Sequence, residues 1–212
     1  MSPDSAVELT VVTLGDSVLD CRHYNAFGLE PGQLLVRNAD QLFPEFRGRD
    51  LASRRPVRLD HRAIDGATVE DLPDQVVGLT ADEPSIALLS VGGNDLMAGL
   101  LADGGPGVEA FAARLQRFLE ALTVRPVYVA TVYDPTFGDD REPFLGVDPA
   151  IGRANHRRVN AVLSAAGQRF GAVVDLHAHF LTGDPTWFTQ TIEPSLRGAS
   201  EIRRAFLERI FA

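Results

Sequence analysis

The chain has no lysine: all 20 of its basic residues are arginine. Its 212 residues include one cysteine, Cys21, and one tryptophan. A lone cysteine excludes an intrachain disulfide and a cysteine-ligated zinc site. Positive charge is also short, with a formal net charge of −9. The arginines are scattered rather than banded, which argues against a nucleic-acid backbone as partner, because phosphate binding needs clustered positive charge. No window reaches the roughly eighteen uninterrupted apolar residues of a membrane-spanning helix, so no membrane partner is expected. Met1 to Ser5 lack the basic segment of a secretory signal, and a cytoplasmic protein is the expectation. Nothing in the composition speaks to oligomeric state.

A chain of this size with 45% hydrophobic residues can bury one large core, and residues 1–212 read as a single domain without repeats or linkers. Strand-like apolar runs alternate with helix-like segments from end to end, the pattern of βαβ units building a parallel sheet. The strands are expected at Glu8 to Leu14, Val57 to Leu59, Ile86 to Val91, Val127 to Tyr133 and Ala172 to Leu176, which makes an α/β fold with a flavodoxin-like five-stranded sheet. Helical spacing runs through Val108, Phe111, Leu115, Phe118, Leu119 and Leu122, and again through Val159, Val162, Leu163 and Ala166. A last helix is expected from Leu196 to Phe211. Asp134 to Asp148 and His177 to Glu193 read as long loops that begin at carboxyl ends of strands.

The chemistry concentrates in three short segments. Gly15-Asp16-Ser17 ends the first apolar run, where a strand hands over to a turn and exposes the next side chain at the carboxyl edge of the sheet. Gly66 lies in Ile64-Asp65-Gly66-Ala67-Thr68, and Gly92-Gly93-Asn94-Asp95 follows the third strand. Acyl transfer needs an activated hydroxyl, donors aimed at a developing oxyanion and a base. Ser17 offers the hydroxyl. The N–H groups of Ser17 and Gly66 and the side-chain amide of Asn94 offer the donors, with glycine at 66 allowing close approach to the backbone.

These blocks, in this order and each after a strand, resemble those of the SGNH hydrolase superfamily, also called GDSL esterases and lipases. The resemblance covers essentially the whole chain. It implies a three-layer α/β/α fold, hydrolysis of an acyl or acetyl ester through an acyl-serine without cofactor or metal, and an oxyanion hole shared by Ser17, Gly66 and Asn94. A small-molecule ester is then the expected partner.

The fourth block departs from the family. Where members carry Asp-x-x-His-Pro before the final helix, this chain reads Gln190-Thr191-Ile192-Glu193-Pro194. The base is therefore Glu193 itself, or an imidazole from Asp175-Leu176-His177-Ala178-His179, with His177 or His179 taking the proton and Glu193 orienting it. The alternative is a degenerate hydrolase that binds an acyl or carbohydrate ligand without turnover. Alternation of Asp175, His177 and His179 on an extended segment would also put three potential metal ligands on one face. Glu193 has a structural use too, as negative charge at the start of the last helix. Ser17 and Asn94 could each be no more than helix caps. His156, among Arg153, Arg157 and Arg158, is expected on a solvated helix face.

Overall fold

The structure is a computed structural model that describes residues 7–80, 84–141 and 144–212. The expectation about the amino terminus, Met1 to Ser5, and part of the expected loop from Asp134 to Asp148 lie outside them. Five parallel strands, β1 (Leu9–Gly15), β2 (Val57–His61), β3 (Ser85–Ser90), β4 (Val127–Ala130) and β5 (Gly171–Val174), form one sheet in the order β2-β1-β3-β4-β5. This is the flavodoxin-like order, with β1 between β2 and β3.

Every residue of β1 is buried, so the strand reads as a nearly continuous run rather than an alternation. Its neighbours alternate between faces all the same: Val11 belongs to one apolar cluster and Val12 to another. On the first face, α1 (Pro31–Val36) packs against α7 (Leu196–Ile210) through Leu34, Leu35, Ile202 and Phe206. On the second, α4 (Pro106–Ala121) and α5 (Pro149–Phe170) bring Phe111, Leu115, Val159 and Leu163 to the sheet. Three layers result. Pro106 and Pro149 occupy first turns, and the Asp148 and Ser195 side chains cap α5 and α7. Among the described residues no helix is long and apolar enough to cross a membrane.

Two strands end earlier than the apolar pattern suggests. After Ala130 the chain leaves the ladder: the Val132 N–H donates to Asn160 Oδ1 of α5 at 2.8 Å, where a strand neighbour would stand. After Val174, Asp175 becomes the cap of a short helix, α6 (Leu176–Phe180), accepting from the Ala178 N–H at 3.0 Å. His177 and His179 thus sit on a helix, where positions two apart face different ways. The extended one-face arrangement of Asp175, His177 and His179 does not exist. The segment that follows is not featureless either, since Phe188–Thr189 and Glu193–Pro194 pair as a small antiparallel hairpin, β6 and β7.

Candidate active site

β1 stops at Gly15 for a steric reason. Its φ is +113°, and a Cβ there would lie 1.6 Å from the Ser90 carbonyl oxygen, so only glycine fits. The buried side chain of Gln75, the last residue of α2 (Leu72–Gln75), brackets this peptide. Its Oε1 accepts from the Gly15 N–H at 2.7 Å and its Nε2 donates to the Gly15 carbonyl at 2.8 Å. The Asp16 N–H continues the ladder to Ser90 O at 3.0 Å, and the Asp16 carboxylate accepts from the Ser90 hydroxyl at 2.9 Å and from the Val18 N–H at 3.2 Å. Burial pushes the Asp16 carboxyl up to about 7, against those two hydrogen bonds. Asp16, not Ser17, therefore caps the turn. Ser17, 8% exposed, stands in the wall of a cavity at the end of the sheet.

The second and third blocks meet beside this turn. The Ile64 N–H donates to Gly15 O at 2.9 Å, Gly66 has φ +80°, and the Asn94 amide donates to Ala67 O at 2.9 Å. Asn94 lies inside α3 (Gly93–Met97), whose cap is Gly92, so it does not cap that helix. One of its N–H groups holds the Gly66 turn and the amide carries a second. The Asp95 carboxylate accepts from the Val69 N–H at 3.2 Å, and burial pushes it up to about 6.

Glu193 arrives from the far end of the chain on β7. The turn before it holds Gln190 at φ +47° and Thr191 at φ +78°, both unfavourable for residues with a side chain. Tyr133, buried and stacked on Phe180, donates its hydroxyl to Ile192 O at 2.7 Å and pins that turn. The Glu193 carboxyl is held above its ordinary value mainly by burial, with the charge of Asp65 adding to it, while the nearby Ser17 hydroxyl and the imidazole of His23 pull it down. Glu193 Oε2 is shut from solvent without a hydrogen-bond partner.

Ser17, Asn94 and Glu193 line one cavity of about 120 Å³, with Val18, Leu96, Met97 and Val132 as apolar wall. His177 and His179 do not line it. His179 Nε2 is 3.2 Å from Glu201 Oε2 of α7 and its ring lies 5.4 Å from that of Trp187. The His177 N–H bonds Thr131 Oγ1 at 2.9 Å, and its ring lies 5.0 Å from that of His156. Gln190 is exposed on the turn.

Sequence reasoning missed several residues here. His156 is buried rather than solvated, lines the cavity, and holds Val132 O at 2.8 Å through Nε2; burial lowers its pKa. The arginines around it in sequence obscured this. Gln75 gave no signal, since its partner is 60 residues away. Asp65, next to Gly66, accepts from the Tyr24 hydroxyl at 2.7 Å and lies 2.9 Å from His23 Nε2.

The fold has solved counterparts. Axe2, an acetylxylan esterase from Geobacillus stearothermophilus, is similar with a TM-score of 0.68 at 20% identity, covering 95% of this chain and 93% of that one. Catalytic mutants of Axe2 in which a serine or a histidine is replaced by alanine are similar at a TM-score of 0.67. LAE5, an alpha/beta hydrolase enzyme from the metagenome of Lake Arreo, Spain, has a TM-score of 0.62 at 23% identity, covering 94% of each chain. No curated protein matches the chain in sequence. Residues 13–199, a span that runs from β1 into α7 and takes in Ser17, Gly66, Asn94 and Glu193, match the GDSL-like lipase/acylhydrolase family, and the chain belongs to it.

Proposed function

We propose that the protein is a serine esterase that cleaves a small carboxylic ester through an acyl-Ser17 intermediate, with Glu193 as general base. What supports this reading is that Ser17 and Glu193 line the same cavity, with the Ser17 hydroxyl near enough to act on the Glu193 carboxyl. As Ser17 Oγ bonds to the ester carbonyl carbon, its proton passes to Glu193. The oxyanion takes hydrogen bonds from the N–H groups of Ser17 and Gly66 and from Asn94. Collapse breaks the bond to the alcohol oxygen, and the protonated Glu193 returns its proton to the leaving alkoxide. A water deprotonated by Glu193 then attacks the acyl carbon, and the acid leaves as the bond to Ser17 Oγ breaks and Glu193 returns the proton to that oxygen.

A free glutamate has a pKa of about 4.3 against about 6.5 for histidine, so proton removal starts with a handicap of roughly 3 kcal/mol. Burial of Glu193 recovers part of it. The same property helps the next step, because a carboxylic acid protonates a leaving alkoxide more readily than imidazolium does. A cavity of about 120 Å³ with an apolar wall suits a short acyl group, such as the acetyl of the ester that Axe2 is named for.

The test is fluorophosphonate labelling together with p-nitrophenyl acetate turnover. The parent is expected to take one label and to show turnover, and Ser17→Ala to lose both. A folded parent that neither labels nor turns over the ester sinks the esterase reading and leaves ligand binding without hydrolysis.

A further inference from the structure

Behind the serine turn, three side chains that the esterase reading does not use converge. They are Asp20, Glu30 at the cap of α1, and His61 at the end of β2. One donor atom from each lies within 4.8 Å of the other two. His61 Nε2 is 3.5 Å from Asp20 Oδ1, and His61 Nδ1 is 3.2 Å from Glu30 Oε1 and 2.8 Å from Thr13 Oγ1. Arg22 approaches Asp20 Oδ1 only to 3.7 Å. Glu30 is 1% exposed, so its carboxyl is deep in the protein.

Three atoms of this group, Asp20 Oδ1, Glu30 Oε2 and His61 Nε2, are closed to solvent and have no partner in hydrogen-bonding geometry. Buried polar atoms in folded proteins nearly always have partners, and each orphan costs free energy. Two of these atoms, His61 Nε2 and Asp20 Oδ1, face each other at 3.5 Å, and a cation that accepts a lone pair from one donor atom of each residue satisfies the group. Two carboxylates and an imidazole are donor chemistry for zinc, manganese or iron, and too nitrogen-rich for a typical magnesium or calcium cage.

We infer that Asp20, Glu30 and His61 form a binding site for a divalent transition-metal ion with a structural role. Thr13 Oγ1 engages Nδ1 of the ring, the outer contact that orients a metal-binding histidine through its other nitrogen. The second oxygen of Asp20 accepts the Asp65 N–H at 3.0 Å, one residue before Gly66. The ion thereby joins the serine turn, β2, α1 and the Gly66 turn. It takes no part in the chemistry at Ser17, and the proposal stands whether or not that serine reacts.

Zinc alone is the probe. Tag-free full-length protein, stripped with a chelator and checked for folding by circular dichroism, is titrated with zinc by calorimetry. One equivalent is expected to bind, with a melting temperature raised by roughly 5 °C at a zinc concentration about 100-fold above Kd. Glu30→Gln and His61→Gln are expected to weaken binding at least tenfold, whereas His179→Ala and Ser17→Ala bind like the parent. Should either glutamine variant not fold, Asp20→Asn, at a less buried position than Glu30, carries the comparison. Absence of binding to the folded parent overturns the proposal, as does affinity unchanged in a folded variant of the three ligands.

Discussion

A carboxylate can take the Ser17 proton only while it is ionised. Because the Glu193 carboxyl is held above its ordinary value, activity should fall as pH drops through that raised pKa, at a higher pH than an exposed glutamate would give. The kcat/KM profile of p-nitrophenyl acetate hydrolysis checks this. Glu193→Gln should cost about a hundredfold or more in kcat/KM. Glu193→His should retain activity with an acid limb near 6.5, the ordinary range of imidazole. An acid limb that does not move between parent and Glu193→His would take the proton away from residue 193. Asp16 makes a separate statement about stability. Its carboxyl is raised from 3.8 to about 7, so its contribution is complete below 3.8 and is lost as pH rises through 7. Asp16→Asn, which still accepts hydrogen bonds, should therefore gain stability relative to the parent between those pH values. The gain is on the order of 4 kcal/mol at most, read from urea unfolding at pH 4 and pH 8.

Among the elements, the small hairpin that carries Glu193 and the short helix that ends in Gln75 position the site. Tyr133→Phe removes one hydroxyl, the donor to Ile192 O, from a side chain that otherwise keeps its packing against Phe180 and Phe188. With Glu193 as the proposed base, the expected result is a drop of about tenfold in kcat with KM nearly unchanged, since residue 193 is displaced while the cavity wall stays. Gln75→Ala leaves the buried Gly15 N–H without its acceptor and should cost about 1–3 kcal/mol, visible as an earlier denaturant midpoint. The two elements differ in how readable they are. Glu193 could be picked out because Pro194, Gly198 and a helix follow it, but its place in the same cavity wall as Ser17 comes after a turn through two strained residues that no local preference announces. β1 and β3 are legible because burial on both faces leaves continuous apolar runs. β4 and β5 end short of theirs because a side chain, Asn160 or Asp175, takes over the backbone bonding. His177 and His179 read as possible bases from their place in the chain. Their partners, Thr131, His156 and Glu201, come from other elements and were invisible there.

For the molecule as a whole, a net charge of −9 sets a field that repels anions, while at the cavity itself Asp134 and Asp140 pair with Arg153 and Asp139 with Arg141. If the chain hydrolyses esters, kcat/KM for an anionic ester should rise about threefold between roughly 10 mM and 300 mM salt, with little change for a neutral one. Equal salt dependence for both would show that the field does not reach the cavity. The order of the strands has a consequence for how the protein is made. β1 is synthesised first, yet its two neighbours are residues 57–61 and 85–90, and the glutamate that faces Ser17 lies at position 193. At ribosomal speed the serine turn waits on the order of ten seconds between the emergence of β2 and that of Glu193. If Ser17 is the nucleophile and Glu193 its base, a nascent chain throughout that interval carries the first without the second.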